Sequence, residues 1–119
     1  MSETDPVKKI LTPFLTHGIC RSEAEALQLL AHDYVQHQIK RYADRAEHFR
    51  SLYRISVDQF AQQVAALCEG TAEISALAHI DRHARIMQAE DDLEEWQAAE
   101  EFLGRWQAVE ADLQHAVAA

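Results

Sequence analysis

Paired histidines are the residues of this chain whose spacing most suggests chemistry. His79 and His83 lie four residues apart, a spacing that places both side chains on one helix face, where they could hold zinc. A zinc protease needs a glutamate directly after the first histidine, but the chain has Ile80 there, and no third ligand is evident. The simpler interpretation is a pair of surface histidines beside Asp81, so we predict no metal site.

Other catalytic patterns are also incomplete. A di-iron helical bundle needs two Glu-x-x-His motifs, and the nearest match is a single Asp112-x-x-His115. The chain has no glycine-rich phosphate loop, nucleophile elbow or Cys–His signature, and Cys20 and Cys68 show no metal-type spacing. We therefore predict a protein that is not an enzyme and has no cofactor. A metal-binding helical enzyme is kept as an alternative hypothesis.

An aromatic stripe in an acidic segment indicates recognition of another protein. Nine of the 20 acidic residues but one of the 11 Lys and Arg residues lie between Ala89 and Asp112. Tryptophan is favoured at the centre of interfaces, and acids around it would attract a basic partner. The alternative is that these aromatic side chains form core. We predict a partner-binding surface of Trp96, Phe102, Trp106, Glu94, Glu95, Glu100 and Glu101.

Basic residues cluster near the middle of the chain. They are Lys40, Arg41, Arg45, Arg50 and Arg54. One interpretation is contact with the phosphates of DNA. The other is a solvated helix face with ion pairs such as Arg41–Asp44 and Glu47–Arg50.

The elements that would position these residues are all helical. Gly and Pro are scarce, which favours an all-α fold. We predict a bundle built on one long central helix, with an acidic amphipathic C-terminal helix for partner binding. Gly104 inside that last helix is expected to let a neighbouring helix approach closely. Apolar periodicity divides the single predicted domain, 1–119, into helices at 6–17, 22–54, 56–68, 72–87 and 93–117.

Local signals mark the ends of these helices. The polar run from Gln88 to Asp92 is expected to be a hinge or a new helix start. Gly18 is placed for a left-handed Schellman ending. The N-terminal signals are Asp5 before Pro6 and the capping boxes Ser22–Glu25 and Ser56–Gln59.

The long central helix carries more apolar surface than a small domain can cover. At about 1.5 Å per residue it would extend about 48 Å, whereas a compact chain of this length is roughly 35 Å across. Its apolar residues follow a heptad rhythm, which is typical of a helix paired along its length. We therefore predict a homodimer whose seam consists of Val35, Ile39, Tyr42, Phe49 and Tyr53.

The sequence also bears on location. No run of 18 apolar residues occurs, and the N-terminus lacks the apolar segment of a signal peptide. Two isolated cysteines suit a reducing compartment. We expect a cytoplasmic protein without membrane contact.

The order of several short motifs resembles that of small prokaryotic antitoxins, which are encoded beside a toxin gene. The motifs are a turn leading into Ser-Glu-x-Glu-Ala-Leu at 17–27, a long helix ending in a tyrosine, Ile-Ser-Val-Asp-Gln-Phe at 55–60, and Glu-Glu-Trp-Gln-Ala-Ala-Glu-Glu-Phe-Leu at 94–103. The resemblance implies a protein that binds and neutralises a small, basic, nucleic-acid-acting toxin, often one that cleaves RNA.

One difference from that family bears on DNA. Ribbon-helix-helix antitoxins place a β-strand before a helix like the one beginning at Ser22, whereas residues 6–17 here follow a Pro-interrupted helical pattern. This argues against operator DNA binding and favours toxin binding. The alternative to an antitoxin is a structural or scaffold helical oligomer without a toxin partner.

Overall fold

Four α-helices make up the described structure. The computed structural model describes the backbone of residues 5–118 and the side chains of residues 5–116, so both ends of the predicted domain lie outside the described residues. The described chain contains no strand, and the predicted all-α class is confirmed. The elements are α1 (Pro6–Thr16), α2 (Glu23–Tyr53), α3 (Val57–Glu69), a 3-10 turn (Ser75–Leu77) and α4 (Arg82–Ala118).

Side chains cap the helix N-termini as predicted. Asp5 accepts a hydrogen bond from the first turn of α1. The Ser22 hydroxyl accepts one from the backbone N–H of Glu25 at 3.1 Å, which is one half of the capping box predicted there. Ser56 and Gln59 form a complete capping box, with bonds of 3.0 and 3.2 Å. These bonds satisfy N–H groups that have no partner within the helix.

Glycines end two of the helices. Gly18 has a φ of 72°, which a glycine adopts without steric cost. The backbone N–H of Ile19 donates to the Phe14 carbonyl at 2.9 Å, and that of Gly18 donates to the Leu15 carbonyl at 3.1 Å. This is the predicted Schellman ending. Gly70, with a φ of 80°, ends α3 in the same way.

The polar run from Gln88 to Asp92 does not interrupt α4, which corrects the predicted separate helices at 72–87 and 93–117. Asp92 is buried, and both Tyr53 and Gln88 donate hydrogen bonds to its carboxylate. Because these donors satisfy the buried carboxylate, the helix continues through the polar run without a break.

Asp81 sets the start of α4. Its carboxylate accepts a hydrogen bond from the backbone N–H of Ala84 at 3.0 Å, in the N-cap position. Before this cap, Ile74 and Leu77 bury their side chains from an extended residue and the 3-10 turn. The chain from residue 72 to Asp81 is therefore a link with a 3-10 turn, which corrects the α-helix predicted to begin at residue 72.

The chain divides into two compact units. The terminal unit comprises Met1–His37 and Val109–Ala119, and the central unit comprises Gln38–Ala108. The core of the terminal unit is small and contains Leu11, Cys20 and Ala26. The central unit has a larger core, to which α2, α3 and α4 all contribute.

Aromatic rings dominate the core of the central unit. Phe49 and Tyr53 come from α2, Phe60 from α3 and Trp96 from α4. Ring centroids lie 4.1 Å apart for Tyr53 and Phe60, and 5.9 Å apart for Phe49 and Trp96. Aromatic pairs of this kind contribute about 0.5–1.5 kcal/mol each beyond the burial of their area. They hold α2 and α4 together, with α3 packed against both.

Candidate partner-binding surface

One face of α4 in the central unit carries exposed carboxylates, which we call the acidic face. It consists of Glu90, Asp91, Glu94 and Glu101, all of them exposed. Glu90, Glu94 and Glu101 follow at steps of four and seven residues, so they lie along one side of the helix. Trp96 lies on the opposite, buried side. The helix therefore presents its negative charge away from the core.

Internal ion pairs use only part of this charge. In the described part of the chain, the side chains of Asp91 and Glu94 have no hydrogen-bond or ion-pair partner. Exposed ion pairs contribute little to stability, so they can be exchanged for a partner's charges at low cost. Three of the predicted site residues form ion pairs with arginines. The pairs are Glu95–Arg45 at 2.8 Å, Glu100–Arg50 at 3.9 Å and Glu101–Arg105 at 2.6 Å.

Phe102 is the most accessible of the predicted aromatic site residues, with 40 % of its surface exposed. Its ring stacks on Tyr42 with a centroid distance of 5.5 Å, and the Arg105 guanidinium lies 5.3 Å from its centroid. An open cleft of about 570 Å³ beside it is also lined by Arg45 and Glu95. Phe102 directly follows Glu101 in α4, and it lies on nearly the same side of the helix as Asp91, three turns or about 16 Å away. The ring is therefore at one end of the acidic face.

Trp96 lies in the core, which corrects its predicted role as a partner contact. Its exposure is 0 %, and its ring packs against Phe49, Tyr53 and Phe60. A residue enclosed in this way cannot reach a partner unless the central unit opens. Trp106, the other predicted tryptophan, is half-buried on α4.

The predicted dimer seam is also occupied within the chain. Phe49 and Tyr53 belong to the core of the central unit, and Tyr42 stacks on Phe102. Ile39 is half-buried, and Val35 is buried in the terminal unit. The heptad rhythm of α2 therefore reflects pairing with helices of its own chain, and any second copy must bind elsewhere.

Sequence reasoning missed a buried polar pair. The Tyr53 hydroxyl donates to Asp92 at 2.5 Å, and Gln88 donates to the same carboxylate at 2.8 Å. Burial raises the pKa of Tyr53 far above its usual value, and the hydrogen bond to Asp92 raises this pKa further. A signal was present, because Ala89, Asp92 and Trp96 step by three and four residues, the spacing of a buried helix face.

The basic residues of α2 mostly face acids of the same chain. Arg50 pairs with Glu47 at 2.5 Å, as predicted, whereas Asp44 pairs with Lys40 at 2.7 Å instead of with Arg41. These pairs support the interpretation of a solvated helix face. They also reduce the positive charge that contact with DNA phosphates would need.

The histidine pair does not share a helix. His79 lies in the link before α4 and His83 in its first turn, and both are exposed. Among the described residues no group of three or more His, Cys, Asp or Glu side chains is arranged to hold a metal ion. Cys20 and Cys68 are free thiols.

Comparison with known proteins gives no relative. No protein-family model matches this chain, and no match is found among curated proteins or solved structures. Within residues 5–118, none of the helices has the length and apolar character that crossing a membrane requires. Function must therefore be inferred from the surfaces of the chain.

Proposed function

We propose that this chain is an antitoxin-like protein of the cytoplasm that binds and neutralises a small basic toxin acting on nucleic acid. The observation that supports this best is the acidic face of α4, where Asp91 and Glu94 have no partner among the described residues. A nucleic-acid-acting toxin presents basic residues to phosphate. Carboxylates held on a helix can occupy that basic surface and exclude the substrate.

Phe102 takes the role of aromatic anchor in this proposal. Its ring is accessible, and the stack on Tyr42 already restricts its motion, so little conformational entropy is lost on binding. Interface energy concentrates in a few such residues surrounded by polar contacts. Neutralisation proceeds by binding alone, without catalysis by the antitoxin.

We further propose that the protein acts as a homodimer. The residues first predicted for the seam are taken up by the chain's own helices, so the dimer surface lies outside them. A helical scaffold without a toxin partner is the alternative, and it requires neither a basic ligand nor the acidic face.

The experiment uses the short basic protein encoded beside the gene, if the neighbourhood contains one. We expect it to bind the purified chain in calorimetry and to lose its toxicity when both are expressed together. Asp91→Lys/Glu94→Lys should abolish both effects. The matched control Asp58→Lys/Glu69→Lys makes the same charge change at exposed sites of α3 and should retain them. Failure to bind that protein would overturn the antitoxin proposal and favour the scaffold alternative.

A further inference from the structure

The terminal unit leaves apolar side chains of α1 uncovered. Val7 and Ile10 are 50 % and 61 % exposed, although Leu11 beside them is buried and anchors the helix. Val7, Ile10 and Phe14 follow the i, i+3, i+7 spacing of a helix face that enters a groove on another protein. This face extends beyond what its own unit covers.

The same unit contains an open groove between α2 and the end of α4. Its volume is about 320 Å³, and Ala31 and Val35 of α2 line it together with Leu113 of α4. Gln36 and Glu110 also line it, and the Gln36 amide donates a hydrogen bond to the Glu110 carboxylate. The groove is thus apolar and has a carboxylate among its lining residues.

Charge distinguishes the occupant that fits this groove. Lys8 and Lys9 flank the exposed face of α1, and neither has an ion-pair partner in residues 5–116. Glu110 lines the groove on the side of α4. A basic helix with two apolar side chains therefore complements an apolar groove that contains a carboxylate.

We propose that α1 of a second copy docks in this groove, with Val7 and Ile10 against Ala31 and Leu113. Lys8 and Lys9 of one copy then lie beside Glu110 of the other. A twofold dimer forms this contact twice, because each copy offers both the helix and the groove. The proposal rests on the homodimer of the proposed function and identifies its surface, but it does not require that the partner be a toxin.

The first test removes the apolar contact. Val7→Asp/Ile10→Asp should weaken dimerisation of the full chain by more than about tenfold in analytical ultracentrifugation, since burial of both side chains is lost twice per dimer. The helix content should not change, because both residues are exposed. Met87→Asp, at an exposed apolar residue of the central unit, is the matched control and should leave the dimer intact.

The second test exchanges the charges. Lys8→Glu/Lys9→Glu and Glu110→Lys should each give monomers, because each places like charges together in both contacts. An equimolar mixture of the two variants should form a heterodimer, since both contacts then join opposite charges. That recovery cannot result from damage to the fold.

Two outcomes overturn the proposal. One is a wild-type chain that is monomeric at every concentration measured, and the other is a dimer that neither set of variants weakens. Both tests use this protein alone, so they can fail while toxin binding through the acidic face succeeds, and the reverse.

Discussion

The Tyr53 hydroxyl donates a 2.5 Å hydrogen bond to the Asp92 carboxylate inside the aromatic core of the central unit. Thirty-nine residues separate the two in sequence, so the bond joins α2 to α4 directly. A buried carboxylate is costly unless donors satisfy it, and here Tyr53 and Gln88 both do so. The pair therefore fixes which face of α4 turns inward.

Removing this hydroxyl should destabilise the fold. We expect Tyr53→Phe to lower the free energy of unfolding by about 1–3 kcal/mol, because it leaves a buried carboxylate with one donor fewer. Urea titration followed by circular dichroism measures this change. Tyr42→Phe is the control, since it keeps the ring stack on Phe102 and should cost much less. Equal losses in the two variants would contradict a special role for the buried pair.

The same tyrosine should make the fold sensitive to alkali. Burial and Asp92 raise the pKa of Tyr53 in the folded chain above the value of 10.0 expected when it is unfolded. The folded state therefore retains a proton that the unfolded state releases, and stability is lost as the pH rises above about 10. Below that pH the contribution is complete. Unfolding measured on both sides of pH 10 should show a steeper decline for the wild type than for Tyr53→Phe.

Substitution of Trp96 should mainly affect stability, whereas substitution of Phe102 should mainly affect partner binding. Trp96→Ala is expected to cost about 3–5 kcal/mol, because it empties a fully buried site, and this is a large share of the stability of a small domain. Phe102→Ala should cost less, because 40 % of this residue is exposed; its stack on Tyr42 contributes about 0.5–1.5 kcal/mol beyond the burial of its area. Calorimetric melting gives both values. If the chain binds the proposed toxin, Phe102→Ala should weaken that binding, and unchanged affinity would remove Phe102 from the proposed interface.

Gly104 offers a test of the packing around α4. It was expected to allow close helix approach, but a Cβ added there would meet nothing within 4 Å. Gly104→Ala should therefore stabilise the protein by about 0.5–1 kcal/mol, because alanine favours the helical backbone. A raised melting temperature is the expected result. A lower one would indicate that a neighbour does approach this residue.

Salt should affect the association with a basic toxin more than the dissociation. Charges at the rim of an interface steer the encounter, and mobile ions screen them over about 8 Å at physiological ionic strength. We expect the association rate to fall as salt rises, and Asp91→Gln/Glu94→Gln to flatten that dependence. Stopped-flow mixing over a salt series measures both. An association rate indifferent to salt would count against the acidic face.

Helix ends could be predicted because their signals are local. Ser56 and Gln59 satisfy each other across one turn, and Gly18 needs only its own backbone conformation. Asp92 could not be placed in this way. A carboxylate after four polar or small residues suggests a helix break, and only the distant Tyr53 hydroxyl explains why it is buried.

Only part of the candidate surface could be predicted, because the rest depends on contacts between residues that are distant in the sequence. Charge alone predicts that the acids of α4 are exposed. Which residues of α4 are buried depends on aromatic side chains from α2 and α3. Phe60 and Tyr53 enclose Trp96, whereas Phe102, six residues later, keeps an accessible edge. Periodicity groups such residues on a helix without showing which of them another helix covers.

The burial of Trp96 gives the protein a built-in optical probe. Its indole N–H meets no hydrogen-bond acceptor among the described side chains and backbone, and aromatic rings surround it. Such an indole emits at short wavelength, and water entering the core would shift that emission to the red. Binding of a ligand can therefore be followed by fluorescence without a label. Docking on the outer surface should leave the Trp96 emission unshifted, whereas opening of the central unit should shift it to the red.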